Sequence, residues 1–457
     1  MANDAEQPLA VENPATLEQI EVIRPATVAD LEQAVENAAR ARAEWTATPL
    51  TRPHCLRAIA DGIESASEEL ALLLTMEQGK PITQARLEVA VAANAFRYYA
   101  SLSLKPQIVK STPGQQVEKH YHPFGVVGLI TAWNFPLALL AWKTAPAIMA
   151  GNAAIVKPAP TTPLTALRLQ EIFDKILPDG LVTVLVGDTR LGEAMVRHPR
   201  IEKISFTGST ATGRRIMEAA SARIKRLTLE LGGNDPAILL PDADVSGAVE
   251  GVAAVAFRNA GQVCIAPKRV YVHRSRYDEA VDAFRAYLDR QRVGDGQHED
   301  VTIGPVNNDR QRTWLQDLTA SVARDGGTLH VSTADTDLPG YFVRPAVVTG
   351  LGGEARLVTE EQFGPLLPIL PYDEVDEAVT AANATDYGLG ASVWGPDTDA
   401  AREVAARVRS GTRWVNQHGP AELDVPFGGV NQSGLGTELG QEGLDAFAES
   451  RVTNVRL

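Results

Sequence analysis

The run Phe257-Arg-Asn-Ala-Gly-Gln-Val-Cys264 ends on a thiol. As a thiolate, such a group is a strong nucleophile. A lone cysteine is equally a small apolar residue that fills cores. Here Asn259, Gly261 and Gln262 precede it, and they suit a polar turn better than a core helix. The run Glu230-Leu-Gly-Gly-Asn234 sets a carboxylate before two glycines. A Gly pair lets the backbone approach another segment or a ligand closely. A carboxylate there can serve as a general base, worth about 10²–10⁴-fold in rate, or can simply cap the next element. In Trp133-Asn-Phe-Pro136 the Asn134 amide can donate to an oxyanion, worth about 10²–10³-fold, or can satisfy a turn.

A fourth run, Ser205-Phe-Thr-Gly-Ser-Thr-Ala-Thr-Gly213, follows an apolar stretch and opens a helical one. Gly208, Ser209 and Gly213 can present amides and a hydroxyl to a pyrophosphate at a helix N-terminus. Its spacing is not G-x-G-x-x-G, so the usual dinucleotide fingerprint is absent. Gly434-Leu-Gly436 follows no convincing strand and is set aside. Asp242-Ala-Asp244 lacks the other ligands of a calcium loop and reads as a helix N-cap before Val245. No Cys/His cluster has zinc spacing, so no metal is expected.

These residues need elements to hold them. The first 105 residues read as helices, with Thr27 and Asp30 as an N-cap pair and a stop at Gly79-Lys80-Pro81. Residues 105 to 123 read as exposed strands turning at Pro113-Gly114. Val126 to Thr131, Ala153 to Val156, Val182 to Val186 and Lys203 to Phe206 are short apolar strands separated by helical stretches. Such alternation implies a parallel sheet covered by helices. A second α/β series follows Gly233, with strands at Ala237 to Leu240, Arg269 to Val272, Val347, Pro368 to Leu370 and Ala391 to Trp394.

A chain of 457 residues implies two or three domains. With 43 Lys plus Arg against 57 Asp plus Glu, the formal charge of −14 argues against a nucleic-acid partner. Two cysteines, Cys55 and Cys264, make no disulfide framework, and a reducing, cytoplasmic setting is expected. Met1 to Ala10 shows no signal-peptide pattern. Pro123 to Trp142 is 20 residues without a charge, long enough to cross a bilayer. The Asn134 and Pro136 at its middle favour a buried strand, turn and helix, so no membrane partner is expected.

In combination the sequence resembles the aldehyde dehydrogenase superfamily. Glu77-Gln-Gly-Lys-Pro81, Trp133-Asn-Phe-Pro136, Phe206-Thr-Gly-Ser209, Glu230-Leu-Gly-Gly233, Gly261-Gln-Val-Cys264, Glu361-Gln-Phe-Gly-Pro365, Pro426-Phe-Gly-Gly429 and Ser433-Gly-Leu-Gly436 occur in the family's order across nearly the whole chain. The resemblance implies an α/β fold with three parts. These are a Rossmann-like NAD(P)-binding domain (1–104 and 124–232), an α/β catalytic domain (233–432) and a β oligomerisation flap (105–123 and 448–457). It implies a Cys264 nucleophile, an oxyanion site made by Asn134 and the Cys264 N–H, and Glu230 as base for thioester hydrolysis. Glu438 matches a second glutamate that helps relay protons, and Lys143 a lysine near the Asn and nicotinamide. Trp133, Lys157, Gly208, Ser209, Gly213, Leu231, Glu361 and Phe363 fall at cofactor positions.

Many NAD-preferring members carry Glu three residues after the lysine matched by Lys157. Pro160 stands there, so NAD is expected and NADP stays open. Phe135, Trp142 and Phe427 suggest an aromatic-lined substrate channel. Arg258 lies where members acting on carboxylate-bearing semialdehydes hold an arginine, but Trp142 replaces their usual second one. An aliphatic or aromatic aldehyde is therefore expected, with a carboxylated semialdehyde as the alternative. Acyl transfer to coenzyme A is a further alternative, disfavoured by Glu230. A non-enzymatic paralogue is disfavoured by the intact Cys264, Asn134 and Glu230. The 105–123 ribbon and Arg451 to Leu457 resemble the family's flap, and that resemblance implies a homodimer or homotetramer.

Overall fold

A computed structural model describes residues 7–334 and 336–457. The signal-peptide reading of Met1 to Ala10 falls largely outside these residues. Four sheets organise the chain. The first has six strands in the order Gly434–Leu435, Arg226–Glu230, Ile201–Thr207, Val126–Ile130, Ala153–Lys157 and Val182–Val184. All are parallel except Gly434–Leu435, which runs antiparallel beside Leu229 and Glu230. Val126–Ile130 and Ala153–Lys157 are buried on both faces, which is why they read as unbroken apolar runs.

The chain winds one way from Val126–Ile130 through Ala153–Lys157, then returns to place Ile201–Thr207 on the other side. The connections leaving these two strands diverge and open a crevice at their C-terminal ends. Trp133 and Asn134 lie after one strand, and Gly208 and Ser209 after the other.

The second sheet has seven strands, ordered Thr328–Val331, Ala346–Thr349, Leu366–Tyr372, Pro267–His273, Asp235–Leu239, Gly390–Trp394 and Thr412–Val415. Only the first is antiparallel to its neighbour. Each large sheet has its own apolar core. Gly232 and Gly233 link the two sheets between Glu230 and Asp235, where a Cβ on Gly233 would lie 2.6 Å from the Cys264 carbonyl. The third sheet pairs Ala448–Arg456, Gln115–Pro123 and Gln107–Thr112, as the turn at Pro113-Gly114 predicts.

The uncharged segment 123–142 forms the expected strand and turn and then the buried helix Pro136–Met149. Among the described residues, no helix is long and apolar enough to cross a membrane. Thr27 and Asp30 form a reciprocal capping box on Val28–Ala47. The helix Ser67–Gln78 ends on Gly79 at φ 97°, a left-handed cap that glycine supplies without strain.

The all-helical reading of the first 105 residues is corrected by a hairpin, Leu9–Glu12 with Gln19–Ile23. Its strands, LAVE and QIEVI, are only four and five residues long, too short to set them apart from the helices around them. Asp244 takes the N-cap position of Val245–Ala256, but its side chain makes no capping bond. Gly434–Leu435 is itself a short strand rather than a phosphate loop.

Candidate active site

The turn before Cys264 begins with Asn259, Ala260 and Gly261, all left-handed at φ 50°, 53° and 73°. This conformation is unfavourable for Asn and Ala and persists only where neighbours enforce it. Gln262 supplies part of that enforcement, accepting Asn307 N–H at 2.9 Å and donating to Asn259 C=O at 2.8 Å. Lys268 Nζ donates to Gly261 C=O at 2.6 Å.

Cys264 follows, half-buried and free of any disulfide. Burial first, then the carboxylates of Glu230, Asp235 and Glu361, push its thiol up to about 12. A thiol in this setting is protonated near neutrality, so attack requires a base to remove the proton.

Asn134 donates from Nδ2 to Gln262 C=O at 3.0 Å, which leaves the second amide proton available. Its Oδ1 is buried without a partner among the described residues. The Asn134 carbonyl accepts from Lys80 Nζ at 2.8 Å and Asn259 Nδ2 at 2.9 Å. Lys80 forms a fully buried ion pair with Glu88. Glu88 Oε1 in turn accepts the Leu137 and Ala138 N–H groups at 3.0 and 3.1 Å, capping the helix that follows Asn134. Sequence reasoning missed Lys80 and Glu88 as site supports. The segment 80–88 also holds Thr83, Gln84 and Arg86, so no local signal set Lys80 and Glu88 apart.

Glu230 ends its strand with both carboxylate oxygens buried and unpartnered among the described residues. Burial, then Glu438, hold its carboxyl well above the usual carboxylate range, and Lys143 opposes them. Glu438 and Lys143 form a buried ion pair. Ser205 Oγ donates to Glu438 at 2.9 Å and accepts from Lys143 at 3.2 Å. Ser205 opens the 205–213 run, but its partner Glu438 lies 233 residues further along, so no local pattern marks it.

A cavity of about 1020 Å³ fills the crevice and reaches Cys264. Trp133, Lys157, Pro160, Gly208, Ser209, Leu231, Glu361 and Phe363 line it. Lys157 is pulled down to about 8, chiefly by burial. Glu361 is pushed up to about 7 by burial, against the bond it accepts from Gly233 N–H at 3.0 Å. Trp133 and Phe363 meet edge-on with centroids 5.4 Å apart. Ser209 caps the helix Thr210–Ser221, accepting Thr212 N–H.

Gly213 departs from expectation, for it is absent from the wall. Its N–H bonds to Ser209 C=O, and a Cβ there would lie 2.6 Å from Leu231. Its smallness lets the helix pack closely on Leu231.

On the other side of Cys264 lies a separate apolar cluster that includes Val263, Ile265, Trp414, Phe427 and Leu439, with Phe135 and Trp142 packed against it. Arg258 stands 5.6 Å from the Phe135 ring centroid, and Lys80 Nζ 4.0 Å. Phe135, Trp142, Arg258 and Phe427 are thus gathered away from the large cavity.

The Aldehyde dehydrogenase family profile matches residues 1–453. The chain is 36% identical over 470 residues to the phenylacetaldehyde dehydrogenase of Pseudomonas fluorescens, covering 98% of this chain and 92% of that one. Its structure is similar to betaine aldehyde dehydrogenase from Staphylococcus aureus in complex with NAD+, with TM-score 0.94, 33% identity and coverage of 98% and 91%. It is also similar to an E. coli NADP dependent enzyme, with TM-score 0.96, 31% identity and coverage of 99% and 95%. Fold and relatives together define an oxidoreductase of the α/β class. The chain belongs to the aldehyde dehydrogenase family.

Proposed function

We propose that this protein oxidises an aldehyde to the carboxylic acid with NAD through a Cys264 thioester. One observation carries the reading. Cys264 is the one described residue shared by the wall of the large cavity and the apolar cluster, so one residue borders both a cofactor-sized space and a group of aromatic side chains.

The cavity fits a dinucleotide. It is at the upper end for small-molecule sites and runs from Lys157 and Pro160 past the capped helix N-terminus to Trp133, Glu361 and Phe363. Lys157 and Ser209 would hold the adenosine and pyrophosphate portions, and Glu361, Phe363 and Trp133 the nicotinamide end. NAD, when bound, supplies the hydride acceptor.

In the protein's own chemistry, a base takes the Cys264 proton and the sulfur attacks the carbonyl carbon. The oxyanion is met by the free Asn134 amide proton and the Cys264 N–H, which donates to no other group among the described residues. Loss of hydride from the carbon leaves a thioester on sulfur. Glu230 then takes a proton from water as the water oxygen attacks, the acid departs and the thiolate returns. In this reading the Glu438–Lys143–Ser205 cluster receives that proton from Glu230, which the electrostatic influence of Glu438 on Glu230 supports.

The aromatic cluster supports an aliphatic or aromatic aldehyde as substrate. A second reading, a carboxylate-bearing aldehyde, is favoured by Arg258, which makes no ion pair or hydrogen bond among the described residues. The proposed NAD domain comprises 1–104 and 124–232, the catalytic domain 233–432 and the flap 105–123 with 448–457. Exposed Ile108, Val109 and Val452 on the flap support assembly into a homodimer or homotetramer. The two free cysteines fit a reducing, cytoplasmic setting.

Steady-state kinetics over aliphatic, aromatic and carboxylated aldehydes, with NAD and NADP in parallel, tests the reading. NAD(P)H formation that disappears in Cys264→Ala is expected, and full turnover by Cys264→Ala overturns the mechanism. Acyl-CoA appearing when coenzyme A is added would overturn hydrolysis.

A further inference from the structure

His418 lies just beyond the strand Thr412–Val415, buried beside the Trp414 ring with centroids 4.8 Å apart. Its Nε2 is 2.8 Å from the Ile265 carbonyl oxygen. A carbonyl only accepts, so Nε2 carries the proton. Its Nδ1 is 2.8 Å from Ser392 Oγ, and that oxygen accepts the Trp394 indole N–H at 2.9 Å.

Burial holds the imidazole down at about 4, so the ring is neutral near pH 7 and Nδ1 is a lone pair. The Ser392 proton therefore points at Nδ1. The groups around the ring are Asp235, whose Oδ2 is 3.9 Å from Nε2 and beyond hydrogen-bond reach, and the Lys268 ammonium. Every bond in the series runs one way, from Trp394 through Ser392 and His418 to Ile265.

Ile265 is the residue after the nucleophile. Its N–H hydrogen-bonds the Cys264 sulfur and opposes the rise in the thiol's value, while its C=O is held by His418. The N-terminal side of the turn is fastened by Lys268, Asn134 and Gln262. On the C-terminal side, His418 is the side chain that bonds the peptide of Ile265.

We infer that His418 is a positioning residue. Fixed in one tautomer by Ser392 and Trp394, it anchors the Ile265 carbonyl and thereby sets the reach and reactivity of the Cys264 sulfur. The inference rests on the proposed role of Cys264 as nucleophile.

The test measures iodoacetamide alkylation of Cys264, followed on its peptide by mass spectrometry, beside kcat, KM and NAD affinity. The variants are Ser392→Ala, His418→Leu and His418→Gln. Ser392→Ala removes one oxygen and leaves the packing in place. It is expected to slow both alkylation and kcat by about fivefold, the scale of one net hydrogen bond, with KM and NAD affinity little changed. His418→Leu is expected to slow them by about 10–100-fold, the scale of a misplaced reacting atom, and His418→Gln, which keeps a donor, to recover part of the loss.

Wild-type alkylation and kcat in Ser392→Ala overturn the proposal even where His418→Leu fails to fold. So does an equal loss in the Gln and Leu variants. A Cys264→Ala control separates the two readings. Turnover in that variant shows the nucleophile reading has failed. A dead Cys264→Ala beside a Ser392→Ala that alkylates like wild type shows that only the positioning inference has failed.

Discussion

Replacing Asn134 with Ala removes one proposed oxyanion donor and leaves the backbone that Lys80 and Asn259 hold through the Asn134 carbonyl. The amide has two protons, and the bond to Gln262 C=O at 3.0 Å uses one. The other is the one available to a charge developing beside Cys264. A donor of this kind contributes about 10²–10³-fold, or about 2.7–4 kcal/mol in the barrier. Losing the Gln262 bond adds about 1 kcal/mol of destabilisation to the folded state.

The assay has two arms. In aldehyde oxidation, Asn134→Ala is expected to lower kcat/KM by about 10²–10³-fold. Alkylation of Cys264 by iodoacetamide displaces iodide and develops no oxyanion, so its rate should stay within about threefold of wild type if only the donor is lost. Oxidation that falls by less than about fivefold refutes the oxyanion assignment. A parallel fall in alkylation refutes it differently, because Asn134 would then act by shaping the Cys264 turn.

Three other perturbations follow from the geometry. Glu230→Gln should allow at most a burst of NAD(P)H and slow later turnover by about 10²–10⁴-fold, with the acyl-enzyme detectable by mass spectrometry; multiple turnovers at wild-type rate refute the base. Because burial and Glu438 raise the Glu230 carboxyl, its basic form gains as pH rises through that raised value. The wild-type kcat should therefore climb with pH above the ordinary carboxylate range, and a flat profile in stopped-flow deacylation counts against it. Lys80→Met strands the buried Glu88 carboxylate and should reduce unfolding free energy by about 3–5 kcal/mol in urea titrations; a loss below about 1 kcal/mol contradicts the buried pair. Pro160→Glu places a carboxylate in the cavity wall and should lower kcat/KM for NADP relative to NAD at least about tenfold; an unchanged ratio places the adenosine phosphate elsewhere.

The legible parts of the fold are those specified locally. Thr27 and Asp30 carry their capping box within four residues, and the buried parallel strands declare themselves as apolar runs. The hairpin at Leu9–Glu12 and Gln19–Ile23 was illegible because only Val11 among its strand residues is buried. The same division holds in the site. Cys264, Glu230 and Asn134 stand in short runs whose composition suggests chemistry. Lys80, Glu88, Ser205, Ser392 and His418 act through partners far along the chain, such as Ile265 for His418 and Asn134 for Lys80. The packing of Gly213 on Leu231 was illegible because its run fits both a phosphate loop and tight packing, and the Leu231 contact is made only in the fold.

The strand Gly434–Leu435 lies directly against Glu230, and Glu438 follows a few residues later. During synthesis, most of the six-stranded sheet emerges roughly two hundred residues before its last strand. Glu230 therefore keeps an open sheet edge, with no Glu438 beside it, until that strand has been made. A nascent chain that already holds Cys264, Asn134 and Glu230 still lacks the buried Lys143–Glu438 pair, which forms only after the segment from Gly434 to Glu438 is added.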